Sequence, residues 1–403
     1  MLVKRRIYLD TAAATPLDLR VEREMEAYNR HNFANPASLH REGVTAARAL
    51  AIARARVATC LGAHPDEIIF TSGGTEANNL ALSLGHPVSK LPESTWTLDV
   101  QVITTAIEHV SVLEPAKKLK AIFLPVDQVG LVDLKKLKAS LTPDTKLVSI
   151  IYAHNEIGVI QPIKEIAKII RHYRKNLGFR NSDFEFDEKT PFFHLDACQA
   201  PRFLDINVKR LGVDLMTVNA SKIYGPRGTG ALYVRRGVKL QPQLIGGGQE
   251  ADRRAGTENV AGAVGLAVAL EICERERKQE VKKLSKLRDQ LITGLLKIEG
   301  VTLNGPGLNS QTERLANNVN VSVAGLGLEG EQLVIELDAR GISCSTGAAC
   351  SIPDHDDSHV IMALGKTEAE AKSAVRFTLG RETNLADIKY VLKSVSEVLK
   401  KYC

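Results

Sequence analysis

The stretch Asp66-Glu67-Ile68-Ile69-Phe70-Thr71-Ser72-Gly73-Gly74-Thr75-Glu76 changes character midway. Its first half runs into consecutive β-branched and aromatic residues, the texture of a strand covered on both faces. Its second half is a glycine turn that opens a helix from Thr75. The rest of the chain repeats the theme. Val100 to Thr105, Ala121 to Pro125, Lys146 to Tyr152, Phe192 to Leu195, Leu215 to Asn219 and Gly230 to Val234 read as further strands, with helical segments between most of them. Such alternation predicts an α/β fold with a mainly parallel central sheet.

After Gly262 the texture shifts. A long, charged helical stretch runs from Ala263 to about Ile298. Asn317 to Val323 then alternates as a strand, and Glu331 to Arg340 and Asp387 to Lys400 carry amphipathic helical periodicity. The expected organisation is a large α/β domain over 17–262 and a smaller α+β domain made of 1–16 and 263–403, joined by the long helix. Asn176 to Pro191 is polar and reads as a surface excursion before the next strand.

The chain has 403 residues, 44% hydrophobic and 25% charged, which excludes intrinsic disorder and small disulfide scaffolds. Its net charge of +6 comes from 53 basic and 47 acidic residues that are well mixed, so no basic stripe points to direct nucleic-acid binding. No apolar run reaches the roughly 20 residues of a membrane span. Met1 to Arg6 is not followed by an apolar segment of the secretory type. A cytoplasmic setting is expected, and the six cysteines, none in a CxxC pair, are expected as free thiols.

Three features carry chemistry. Backbone N–H groups at the helix opening near Gly74 and Thr75 suit an anion, and without GxxxxGK[ST] or GxGxxG the turn gives nucleotide binding no support. Lys222 sits between an apolar strand and the rigid Gly225-Pro226 turn, where a desolvated amine can form a Schiff base. Asp196 ends the run Phe192-Phe193-His194-Leu195 at the strand's carboxyl end, where α/β sheets bind ligands. Each has a plainer reading: a capped turn, a solvated lysine, a capping acid. Together they supply what a pyridoxal phosphate (PLP) enzyme needs: a Schiff-base lysine, a carboxylate for the pyridinium N–H and a phosphate cradle. Cys350 follows the small residues Ser345 to Ala349 and precedes Pro353, the setting of a loop thiol; Asp354 to His359 is expected to be exposed. His355 and His359 with an aspartate are read as a hydrated loop and not as a metal site, because such a loop does not usually bring three ligands together; for Cys344 packing is expected.

These segments resemble the cysteine desulfurases, within the class V aminotransferase group of fold-type I PLP-dependent transferases. The resemblance runs from Tyr8-Leu9-Asp10-Thr11-Ala12-Ala13 to Arg376-Phe377-Thr378-Leu379-Gly380-Arg381. It takes in Asn35-Pro36-Ala37-Ser38, Glu108-His109, Asn155-Glu156-Ile157-Gly158, Asp196-Ala197-Cys198-Gln199, Lys222-Ile223-Tyr224-Gly225-Pro226 and Arg254-Ala255-Gly256-Thr257. The segment after Cys350 is similar to the long cysteine loop of the housekeeping iron–sulfur desulfurases.

The resemblance implies roles. Lys222 is the Schiff-base lysine, Asp196 pairs with the pyridinium nitrogen, His109 stacks on the ring and Gln199 contacts the ring hydroxyl. Asn155 touches cofactor or substrate. Gly74, Thr75, Asn219 and Ser221 bind the phosphate, and Thr257 reaches it from the partner subunit of a homodimer. Arg376 clamps the carboxylate of L-cysteine. Cys350 takes the sulfur as a persulfide, alanine leaves, and a sulfur-acceptor protein follows, either an iron–sulfur scaffold or a tRNA-thiolation protein. Two rivals share these residues: a selenocysteine lyase, and a PLP-binding assembly subunit without catalysis. There are departures. Ser221 stands where the family usually has histidine, the 176–191 excursion looks inserted, and the sequence ends at Cys403 without the tail that some relatives use to dock a scaffold.

Overall fold

The computed structural model describes residues 6–84, 101–178, 190–325, 327–347 and 358–402. The chain opens with β1 (Ile7–Tyr8), α1 (Leu19–Arg30) and α2 (Arg41–Leu61). The central sheet follows. It comprises β2 (Ile68–Thr71), β3 (Gln101–Thr105), β4 (Ile122–Leu124), β5 (Thr145–Ile151), β6 (Phe192–Asp196), β7 (Leu215–Asn219) and β8 (Gly230–Val234). The spatial order is β2-β8-β7-β6-β5-β3-β4. The pairs from β4 through β7 are parallel, while β8 runs antiparallel to both β7 and β2. Every strand expected in this region is present, with ends moved by no more than two residues.

Helices α3 (Gly74–Leu82), α4 (Val110–Lys118), α5 (Leu134–Ser140), α6 (Ile163–Gly178) and α7 (Val208–Leu211) link the strands. The sheet is buried on both faces, which explains the continuous apolar runs. Ile68 and Phe70 enter one core and Ile69 the other; Met216 and Val218 likewise oppose Leu215. Asn176 lies in the last turn of α6, so the polar segment expected from Asn176 begins inside a helix. Of the remainder, 179–189 lies outside the described residues.

The long helix is α8 (Val260–Leu295), 36 residues. Its first half buries Val264, Leu266 and Leu270 in the core of the central sheet. Its second half buries Leu284, Leu291 and Leu295 in a separate core. That second core is built with β9 (Thr302–Leu303), β10 (Asn318–Ser322), α9 (Gly330–Asp338), β11 (Ile342–Ser343), β12 (Ala374–Thr378) and α12 (Leu385–Leu399), while α10 (His359–Ala363) and α11 (Glu368–Lys372) pack in a smaller cluster with Ile107, Ile157 and Val159. Strands β12, β10 and β9 form an antiparallel sheet in that order. Strand β1 pairs in parallel with β11, which returns the N-terminal segment to this second unit.

Candidate active site

The carboxyl ends of the parallel strands, the start of α3 and the β12 edge enclose a cavity of about 270 Å³. Parallel strands end on the same side of a sheet, so residues far apart in sequence meet there. Gly74, Thr75, His109, Asn155, Asp196, Gln199, Asn219, Lys222 and Arg376 all line it. Ser221 does not, although it adjoins Lys222. Its backbone N–H and hydroxyl both donate to Asn219 Oδ1, each at 3.1 Å. Thr257 is exposed, in the segment before α8, and is not part of the lining. Cys350 lies outside the described residues, but Gly347 and Ser358, one on each side of the undescribed segment 348–357, both line the cavity.

The start of α3 carries no side-chain cap: Gly73 is the N-cap residue. Its first N–H groups therefore lack the usual partner and offer an anion site on the cavity wall. A side chain at Gly74 would put Cβ 2.7 Å from Cys198 Sγ, so the glycine is required by packing. Asp196 ends β6; its Oδ1 accepts from Cys198 N at 3.0 Å and its Oδ2 from Asn78 Nδ2 at 2.8 Å. The N-terminal segment roofs the site. Gln199 Nε2 donates to Ala12 O at 2.9 Å and Lys222 Nζ donates to Ala13 O at 2.5 Å.

Arg376 is buried on β12. It donates through Nη2 to Asp10 Oδ1 at 2.8 Å and through Nη1 to Asn155 O at 3.4 Å. Its Nε is buried with no partner among the described residues. A planar guanidinium with donors to spare at a cavity wall fits an incoming carboxylate.

His109 is the N-cap of α4. Burial holds its ring below the ordinary histidine value; Asp196 opposes that shift and Lys222 adds to it. Two buried carboxyl groups of the lining were not singled out from sequence. Burial raises Glu108 to about 8 and Glu156 to about 7. Both adjoin expected residues, His109 and Asn155, yet only the fold shows that they are buried. Asn78 was also missed. Its signal was its spacing, four residues after Gly74 on one face of α3.

One expectation fails at the far flank. Ser358 was expected to be exposed, but it is 2% exposed. It caps α10 and its hydroxyl donates to Glu156 Oε1 at 2.5 Å, so the polar run ends in a buried capping serine. His359 is exposed, as expected, with Nε2 at 3.2 Å from Glu108 O. Cys344 packs in the second core, as expected.

Residues 7–391 match the family described as aminotransferase class-V. Among similar proteins is the cysteine desulfurase IscS of Dictyoglomus turgidum, 41% identical over 99% of this chain and 96% of that protein. Another is the mitochondrial cysteine desulfurase of Saccharomyces cerevisiae, 40% identical over 98% of this chain and 75% of that one. Among solved structures, a NifS-like protein superposes with a TM-score of 0.85 at 34% identity, covering 98% of this chain and all of that one (100%). SspA in complex with cysteine superposes with a TM-score of 0.74 at 30% identity, over 93% of this chain and 98% of that one.

Proposed function

Because the chain belongs to the aminotransferase class-V family, we propose that its site is that of a cysteine desulfurase, which converts L-cysteine to L-alanine and passes the sulfur to Cys350. The observation that carries this reading is the convergence of Lys222, Asp196, the uncapped start of α3 and Arg376 on one cavity. Relatives named as cysteine desulfurases at about 40% identity over nearly the whole chain support it and do not favour the selenocysteine lyase reading.

The residues present fit pyridoxal phosphate. The uncapped helix N-terminus suits the phosphate, Asp196 suits a ring N–H, and Lys222 supplies the tethering amine. Asn155, Gln199 and Asn219 complete the binding wall, with Ser221 behind Asn219. When bound, the cofactor supplies the electron sink that makes the Cβ–S bond of the substrate breakable.

The chain's own residues do the rest. Arg376 holds the substrate carboxylate, with Asp10 fixing the guanidinium. His109 handles protons beside the reacting carbons. Cys350 provides the acceptor thiol: the Cβ–S bond breaks, an S–S bond forms on Cys350, and the thiol proton is balanced by the new C–H of alanine. Gly347 and Ser358 in the cavity lining place both flanks of the cysteine segment at the site, which favours delivery of the thiol there.

Thr257 contributes from the partner subunit of a homodimer in this reading. Large apolar side chains support a covered face beside it. Leu244 and Ile245 are 45% and 71% exposed, and Leu244 O accepts from Ala255 N at 3.2 Å, which ties them to the segment that carries Thr257. The persulfide then passes to an acceptor protein, an iron–sulfur scaffold or a tRNA-thiolation protein, in the cytoplasm. No helix of the described residues is long and apolar enough to cross a membrane. The test is direct. Purified holoenzyme given L-cysteine and a thiol reductant should release alanine and sulfide in equal amounts, and L-selenocysteine should not be strongly preferred.

A further inference from the structure

The His109 ring is held by a chain of hydrogen bonds that the desulfurase reading does not use. Ser111 backbone N donates to His109 Nδ1 at 3.1 Å. Ser111 Oγ also lies 2.8 Å from that nitrogen. On the other side of the hydroxyl, Asn78 Nδ2 donates to Ser111 Oγ at 2.8 Å. The same Asn78 amide donates to Asp196 Oδ2 at 2.8 Å. Asn78 and Ser111 are 1% and 6% exposed, so water does not replace these bonds freely.

An ionised carboxylate only accepts, so the NH₂ end of Asn78 must face Asp196. The second hydrogen of that NH₂ then points at Ser111 Oγ. A backbone N–H only donates, so Ser111 N biases Nδ1 of His109 toward accepting. With Asn78 donating to its oxygen, the Ser111 hydroxyl is free to send its own hydrogen to Nδ1. Two donors thus converge on Nδ1. A neutral imidazole has one N–H, and here it must be on Nε2. Among the described residues Nε2 has no hydrogen bond, so it is the nitrogen left for a ligand in the cavity that His109 lines.

We propose that Ser111 and Asn78 are positioning residues that fix the tautomer of His109, so that it meets substrate with its proton on Nε2. The proposal rests on the desulfurase reading only for what His109 does with that proton. Its geometric part stands on the bonds above. The chain also ties the orientation of His109 to the carboxylate of Asp196, so that one amide serves two groups of the site. In the reaction, His109 first engages the bound substrate as a hydrogen-bond donor. It can accept a proton at Nε2 only after its own has left, or after the ring shifts its proton to Nδ1 against the Ser111 N–H.

Histidine ¹⁵N NMR of the holoenzyme tests this, with the His109 signals identified by their loss in His109→Gln. The parent should show an unprotonated Nδ1 and a protonated Nε2 at neutral pH. Ser111→Ala removes one of the two donors and should give a mixture of tautomers. Its kcat for alanine release should fall about tenfold, the size of one lost hydrogen bond in a buried chain, with KM for L-cysteine little changed. Ser111→Thr keeps the hydroxyl and should restore both. A parent ring protonated on Nδ1 overturns the proposal, as does an unchanged single tautomer in Ser111→Ala. If the tautomer responds as stated while the parent makes no alanine from L-cysteine, the positioning assignment stands and the desulfurase reading falls.

Discussion

Asp10 and Arg376 are 366 residues apart in sequence and meet as an ion pair, Arg376 Nη2 to Asp10 Oδ1 at 2.8 Å. The pairing depends on β1 lying against β11 and on the bridge between Asp10 and Thr378 of β12. It turns the guanidinium so that part of it is committed and Nε is not.

Loss of Asp10 should therefore weaken substrate binding more than turnover. Asp10→Ala is expected to raise KM for L-cysteine about tenfold, ~1.4 kcal/mol, with kcat changed much less. Arg376→Ala should raise KM further still. Steady-state kinetics of the two variants check this; a kcat loss without a KM change in Asp10→Ala would place Arg376's partner elsewhere in the mechanism.

Ser221 tests the departure from the family pattern. Its hydroxyl donates to Asn219 Oδ1 at 3.1 Å and so helps hold a residue of the cavity wall. Ser221→Ala leaves Asn219 Oδ1 only the backbone N–H donor and should weaken PLP retention by about 0.5–1.5 kcal/mol, the size of one ordinary hydrogen bond. Ser221→His should be tolerated. Rates of PLP release from the three proteins decide. Retention as tight in Ser221→Ala as in the parent would show that the phosphate is anchored without it.

Most of the frame was legible in the sequence because each buried strand is a continuous apolar run ended by a polar or glycine turn. Thr71-Ser72-Gly73-Gly74 and the end of β6 at Asp196 are examples. The reversal of β8 was not legible, since an apolar strand reads alike in either direction. The expected division into 17–262 and 1–16 with 263–403 is a proposal, and the pairing of β1 with β11 supports it. Lys222, Asp196 and the α3 turn announced themselves by residue type. Asn78, Ser111, Glu108 and Glu156 did not: they are ordinary polar residues whose meaning comes from burial beside the cavity. Ser358 misled because a capping serine and a solvated one look the same in a polar run.

The proposed homodimer has its own consequence. Ligand that bridges two chains strengthens their association, so PLP should tighten the dimer. Ile245→Asp should weaken it and lower PLP affinity together, and Thr257→Ala should lower PLP affinity while leaving dimers intact. Sedimentation with and without PLP measures both. A strictly monomeric protein that binds PLP fully contradicts the shared site.

The buried carboxyls predict a pH dependence of stability. Burial pushes Glu108 up to about 8, far above its unfolded value near 4.3. Below about pH 4 both states hold the proton and the native state bears no penalty from it. As pH rises from about 4 to about 8, the unfolded chain ionises first, so stability is lost across that window and levels off above it. Glu108→Gln removes this group's titration. Its thermal midpoint should fall less than the parent's between about pH 5 and 8. Parallel slopes for the two proteins would show that Glu108 ionises no differently in the folded state.

In the proposed reaction Lys222 holds the cofactor and Cys350 accepts the sulfur. Mass spectrometry of the protein after one turnover with L-cysteine, alongside alanine released, measures both at once. A persulfide on Cys350 matched by alanine is expected in the parent. Cys350→Ser should keep the visible absorbance of bound PLP but give neither product, and Lys222→Ala should lose that absorbance. Alanine released from L-cysteine by Cys350→Ser at the parent's rate would contradict the account.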